Sequence, residues 1–117
     1  MSGHMDTKDA LTAFDSLSQE TRLKAFRLLV EHGSEGAAAG CLSEFLKIPH
    51  NTLSFHLSHM SRAGLVVSRK EGRSIIYSIN WPVYEDLIRF MIEDCCSKDV
   101  GNTLCTPSGL IMLKERC

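Results

Sequence analysis

Leu53, Leu57 and Met60 recur at intervals of four and three, while Asn51, Ser54, Phe55 and Ser58 keep the same spacing on another face. The pattern predicts a short helix with an apolar back and a front of mostly small hydrogen-bonding groups. Pro49 and Asn51 open it and Ala63-Gly64 closes it, as helix boundaries should. Upstream, a helix starting at Cys41 is expected to turn Leu42, Phe45 and Leu46 inward, with Lys47-Ile48-Pro49 as a tight turn after it. Helix, short turn, helix is a unit whose second member enters the major groove of DNA. Downstream, Leu65–Arg69 and Ser74–Ile79 are β-branched runs joined across Lys70-Glu71-Gly72-Arg73, which predicts a hairpin with a basic tip. Together these elements predict a mainly α fold with a small β-hairpin wing, the winged helix-turn-helix.

The flanks supply the core. Leu11, Phe14 and Leu17 mark a short amphipathic helix over Asp9–Leu17, and Ser18 is the expected N-cap of a second helix running to about His32. In that second helix Leu23, Phe26 and Val30 form one stripe, widened by Leu28 and Leu29, and the whole is expected in the core. Residues 33–40 read as a small-residue connection. Asn80-Trp81-Pro82 breaks the hairpin and starts a last helix, with Val83, Leu87, Phe90 and Met91 along one side and Tyr84, Ile88 and Ile92 along another. So wide an apolar surface on so small a chain predicts a second copy as its cover, with the first helix joining in. A two-fold homodimer would present two reading helices to a roughly palindromic stretch of double-stranded DNA.

At 117 residues the chain holds one domain, placed at residues 6–96, with a cysteine-bearing loop and tail over 97–117. Residues 1–5 read as a remnant of cloning. No stretch reaches membrane-spanning length and no secretory signal is visible, so the expected setting is the cytoplasm, without a membrane partner. The formal net charge of −1 does not advertise nucleic-acid binding, but its distribution does. Arg62, Arg69, Lys70 and Arg73 outweigh Glu71 at the reading helix and wing, whereas acidic residues dominate from Glu85 to Asp99. Phosphate contact is local, so a segregated basic wing suffices. The expected DNA-binding residues are therefore Asn51, Ser54, Phe55 and Ser58 on the helix front, His50 and Thr52 at its start, and Arg62, Arg69, Lys70 and Arg73 for phosphates. An apolar ring at Phe55 suits thymine methyls, which predicts a thymine-containing half-site.

At this point the chain resembles a known family. Leu17-Ser18-Gln19-Glu20-Thr21-Arg22-Leu23-Lys24 resembles the "L-x-x-x-T-R-L-x" opening of ArsR/SmtB repressors, and Asn51-Thr52-Leu53-Ser54-Phe55-His56-Leu57 resembles their "S-T-V-S-x-H-L". Ala63-Gly64-Leu65-Val66 and Arg69-Lys70-Glu71-Gly72-Arg73 resemble their "A-G-L-V" and "R-x-G-R". The likeness covers roughly residues 11–96 and implies a dimeric repressor that leaves its operator when a metal or metalloid binds.

The candidate chemistry lies in the five cysteines, an odd number that points to metal or redox chemistry rather than to disulfide staples. Cys95 and Cys96 fall at the end of the last helix, and Cys105 follows across a glycine-bearing loop that can fold back. Three converging thiolates suit a soft three-coordinate ion such as trivalent arsenic or antimony, the expected inducer, with no organic cofactor. Zinc normally takes four ligands. The zinc-sensing relatives place Asp-x-His and His-x-x-Glu pairs on the last helix, and neither occurs here. The "C-V-C" of some arsenic sensors aligns Cys41 with its first cysteine but Ser43 with its second, which leaves Cys41 as a small core residue. Other arsenic-responsive relatives carry a cysteine pair on the last helix with a third nearby, and Cys95, Cys96 and Cys105 resemble that set. Cys117 is read as a terminal thiol outside it. A redox-sensing repressor of the same fold is the alternative, and a small thiol metal carrier is a third reading that leaves the wing unexplained. No histidine has a metal or triad partner at a suggestive spacing, so an enzyme is not expected.

Overall fold

The computed structural model describes residues 5–93 and Lys98. Among these residues five α-helices and three β-strands follow one another as α1 (Thr7–Leu17), α2 (Glu20–His32), β1 (Ala37–Ala38), α3 (Ala39–Leu46), α4 (His50–Arg62), β2 (Val66–Glu71), β3 (Ser74–Ile79) and α5 (Trp81–Ile92). This is the expected winged helix-turn-helix.

The helix-turn-helix forms for local reasons. α3 ends at Lys47, whose backbone is left-handed (φ 57°), and the Ile48 amide returns to the Ser43 carbonyl at 3.1 Å. The Ser43 hydroxyl donates to the Ile48 carbonyl at 2.6 Å, so one residue closes the turn from both directions, by its backbone carbonyl and by its side chain. Pro49 then leads into α4, where its missing N–H leaves no donor unsatisfied. Leu53, Leu57 and Met60 are fully buried, as their spacing requires, and meet Leu29, Leu42, Leu65 and Val66 in one core.

The wing is a three-stranded antiparallel sheet in the order β1-β3-β2. Val66 pairs with Ile79 and Glu71 with Ser74, so β2 runs two residues further than its β-branched stretch and the tip shrinks to Gly72-Arg73. Gly72 has φ 61°, the conformation a two-residue hairpin turn needs at its first central position. The Asn80 amide and side chain bond to the carbonyls of Leu65 and Gly64, both at 2.9 Å, and pin the end of the hairpin to its beginning. The 33–40 connection is more ordered than its small residues suggest. It holds a 3-10 turn (Gly33–Glu35) and then β1, whose Ala37 and Ala38 pair with Tyr77 and Ile76. Gly36 permits this: at φ 72° a Cβ would run into the Tyr77 carbonyl.

Several large apolar side chains expected inside lie outside. In α1 the inward face is Ala10, Ala13 and Ser16, while Leu11 is 61% exposed and Phe14 also faces solvent. In α2 the core is built by Ala25, Phe26, Leu28 and Leu29, Val30 is half-buried, and Leu23 is exposed. Phe45 of α3 is 69% exposed, leaving Leu42 as that helix's buried anchor. The cap of α2 also differs: Gln19, not Ser18, accepts the Arg22 amide at 2.8 Å, and Ser18 instead donates to the Asp15 carbonyl. α5 buries Leu87 and sets Tyr84 edge-on against Phe26, with centroids 5.2 Å apart, but leaves Phe90 and Met91 outside. Leu11, Phe14, Phe90 and Met91 thus leave α1 and α5 with uncovered apolar side chains.

Candidate nucleic-acid interface

Because the apolar stripe fixes the rotation of α4, its opposite face must look outward. His50, Asn51, Thr52, Phe55 and Ser58 are exposed and Ser54 is half-buried at the edge of the stripe. Phe55, 61% exposed, has the His56 ring as its one aromatic neighbour among the described residues, at 5.6 Å. A front of one amide, three hydroxyls and one apolar ring can exchange hydrogen bonds with base edges and touch thymine methyls. Arg62 is exposed in the last turn of α4.

The basic residues of the wing are not equivalent. Arg69 forms a 2.8 Å ion pair with Glu71, and its other guanidinium nitrogen donates to the Glu35 carbonyl at 2.9 Å. It ties the hairpin to the loop before β1. Lys70 and Arg73 are exposed and have no ion pair among the described residues, which leaves their charge available to phosphates.

Behind α4 lies a polar network that sequence spacing did not reveal. Ser16 of α1 is fully buried. Its hydroxyl meets Nδ1 of His59 at 2.9 Å, and its carbonyl accepts from Nε of Arg22 at 2.6 Å. Arg22, from α2, also reaches Nδ1 of His56 at 3.1 Å. Arginine can only donate, so this His56 nitrogen must be the bare, accepting one. Burial first, then the positive charge of Arg22 and the neighbouring His59, push the His56 pKa below its ordinary value. The partners are 34 and 43 residues apart in the chain, so only the fold could bring them together.

Of the expected cysteine site, Cys95, Cys96 and Cys105 lie outside the described residues, as do Cys117 and, apart from Lys98, the 97–117 tail. Cys41 is exposed on α3 rather than packed in the core. No group of three or more His, Cys, Asp or Glu side chains that could hold a metal ion occurs among the described residues. Among them, no helix is long and apolar enough to cross a membrane.

A helix of this kind set against a basic hairpin defines a winged helix-turn-helix DNA-binding protein. Residues 17–69 match the family described as a helix-turn-helix domain. The chain is 33% identical over 84 residues to the uncharacterized HTH-type transcriptional regulator MJ1325 of Methanocaldococcus jannaschii, covering 72% of this chain and 92% of that protein. It is 32% identical to the transcriptional repressor SdpR of Bacillus subtilis, covering 68% and 86%. A likeness of 31% to a probable mercury resistance operon repressor of Streptomyces lividans covers 74% and 65%. Among solved structures, an ArsR-like transcriptional regulator from Rhodococcus superposes with a TM-score of 0.67 at 24% identity, covering 94% of this chain and 93% of that one. The homodimeric winged helix-turn-helix domain of Mb0332 from Mycobacterium bovis, a possible ArsR-family regulator, gives 0.60 at 21%, covering 85% and 92%. The protein belongs to the helix-turn-helix transcriptional regulators.

Proposed function

We propose that the protein is a homodimeric repressor that reads operator DNA with the front of α4 and holds it with the β2–β3 wing. It lets go when trivalent arsenic or antimony is captured by Cys95, Cys96 and Cys105. The observation that carries the reading is the two-sidedness of α4: a fully buried apolar back that leaves Asn51, Ser54, Phe55 and Ser58 outward, beside a wing with free cations. The uncovered apolar side chains of α1 and α5 support a dimer, as does the homodimeric neighbour. The inducer rests on donor chemistry. Three thiolates match the three-coordinate preference of these soft ions, and a relative named for a mercury resistance operon meets the same class of thiophilic challenge.

Capture must favour the DNA-free geometry, because a ligand shifts an equilibrium only by its difference in affinity between the two states. A coupling of about 3 kcal/mol would weaken the operator complex roughly 150-fold. The test is a titration of DNA-bound protein with arsenite, antimonite, methylarsenite, zinc and peroxide, following release. Arsenite or antimonite should release the parent, while Cys95→Ser and Cys96→Ser should bind DNA yet ignore both. Cys105→Ser should lose the arsenite response but keep part of the response to methylarsenite, which has only two exchangeable positions. Release by peroxide but not by arsenite would replace the metalloid reading with a redox one. If Cys41→Ser abolishes release and Cys105→Ser does not, the inducer site lies on α3.

A further inference from the structure

The network behind α4 is absorbed neither by DNA contact nor by inducer capture, and its chemistry is asymmetric. The Ser16–His59 bond survives protonation of His59, because a serine hydroxyl can donate to a bare ring nitrogen or accept from a protonated one. The Arg22–His56 bond does not. Arg22 stays charged at all working pH values and has only donors to offer, so a proton on Nδ1 of His56 removes the acceptor and sets two cations 3.1 Å apart.

Among the described residues no counter-charge acts on His56 to soften that encounter. The charged groups that act on His56 are Arg22 from α2 and His59, three residues along its own helix, and both are cationic when protonated. From α1 the contribution is Ser16, a neutral residue whose carbonyl fixes the Arg22 guanidinium in place. We infer that Arg22 is a positioning residue for the reading helix, holding α4 through a bond that only an uncharged His56 can accept, so that DNA binding weakens as His56 takes up a proton. The inference rests on the assignment of α4 as the DNA-reading helix.

The arrangement fits a role in placement rather than in bulk stability. His56 directly follows Phe55 and lies two residues from Ser54 and Ser58, so any rotation or shift that separates His56 from Arg22 displaces the reading residues with it. The sign is also diagnostic. A histidine that faced phosphate would gain a charge on acidification, and binding would strengthen. The Arg22–His56 contact predicts the reverse.

The experiment uses a duplex selected in vitro by the full-length parent at about pH 7.5, where an ordinary histidine is mostly neutral. Lowering the pH to about 5.0 should weaken parent binding about tenfold, a loss that one histidine with a pKa below its ordinary 6.5 can deliver there but not at about pH 5.5. His56→Asn keeps an acceptor near the Nδ1 position and cannot titrate, so its affinity should change by less than about twofold over the same range. His59→Asn should retain the parent's loss. In the parent, nitrogen chemical shifts should show His56 with its proton on Nε2 and Nδ1 bare at neutral pH, and circular dichroism should show the fold intact at both pH values. Parent binding that is flat or tighter on acidification, a proton on Nδ1 of His56 at neutral pH, an undiminished pH loss in His56→Asn, or unfolding at the lower pH would each overturn the inference. If the parent selects no duplex at all, the assignment of α4 as the reading helix fails and this inference falls with it. A duplex bound without pH dependence sinks the inference alone.

Discussion

α4 and the β2–β3 hairpin both present polar groups outward, yet they are held in opposite ways. α4 is fastened by Leu53, Leu57 and Met60, all fully buried, and by two side-chain bonds that reach α1 and α2. The hairpin is anchored at its base by Val66 and Ile79, by Asn80 and by Arg69, but from Val67 to Ile75 every residue is exposed. A rigidly fixed element can discriminate between bases, because a hydrogen bond is lost when donor and acceptor are misplaced by less than an ångström. An exposed ribbon with free cations can follow the phosphate backbone wherever it runs, and so adds affinity with little regard to sequence. On the proposed function, one element reads and the other grips.

The sharpest way to break the comparison is to loosen the anchored element from behind. Leu57→Ala removes a fully buried side chain and should cost about 2–5 kcal/mol of stability by chemical denaturation. Ser58→Ala, on the adjacent but exposed position, should stay within about 0.5 kcal/mol of the parent. Next in size are changes to the reading face alone. Asn51→Ala and Ser54→Ala should each weaken binding to the selected duplex by about 1 kcal/mol, if each makes one neutral hydrogen bond, with thermal stability unchanged. If both bind like the parent, α4 does not read DNA.

In the wing, removal of one phosphate contact should lower the slope of log affinity against log salt by about one unit and weaken binding evenly across sequences. Lys70→Ala and Arg73→Ala should show this, and Arg69→Ala less so, since its guanidinium is already engaged by Glu71 and Glu35. Equal slopes for all three variants would mean that Arg69 abandons those partners on DNA. The smallest effect is on stability itself. A histidine whose folded pKa is depressed contributes stability that is present above its unfolded value, about pH 6.5, and lost as the pH falls toward the folded one. A shallow decline beginning near that pH should appear in the parent and be reduced in His56→Asn.

The fold was legible because its central element writes both of its faces into the chain. Leu53, Leu57 and Met60 can be buried together only if Asn51, Phe55 and Ser58 turn away. Where sequence reading went astray, it assumed that a large apolar residue must face its own core. Leu11, Leu23 and Phe45 are exposed, and the small residues Ala10, Ala13 and Ala25 occupy the inward positions, where helices can approach closely. β1 escaped notice because two alanines carry no strand preference; the Tyr77 and Ile76 backbone and the room left by Gly36 create it. The Arg22–His56 and Ser16–His59 pairs have no local signature at all, since each joins residues from distant helices.

The brevity of β1 has a consequence for the protein at high concentration. A sheet with open edges invites identical sheets to add on, and the usual remedies are a very short edge strand on one side and charged side chains on the other. Here β1 occupies one edge with only two residues, while β2 lines the opposite edge with Arg69, Lys70 and Glu71 in succession. Neither margin offers a long apolar ladder for a second wing to extend. The wing is thus poorly suited to strand addition by a second copy.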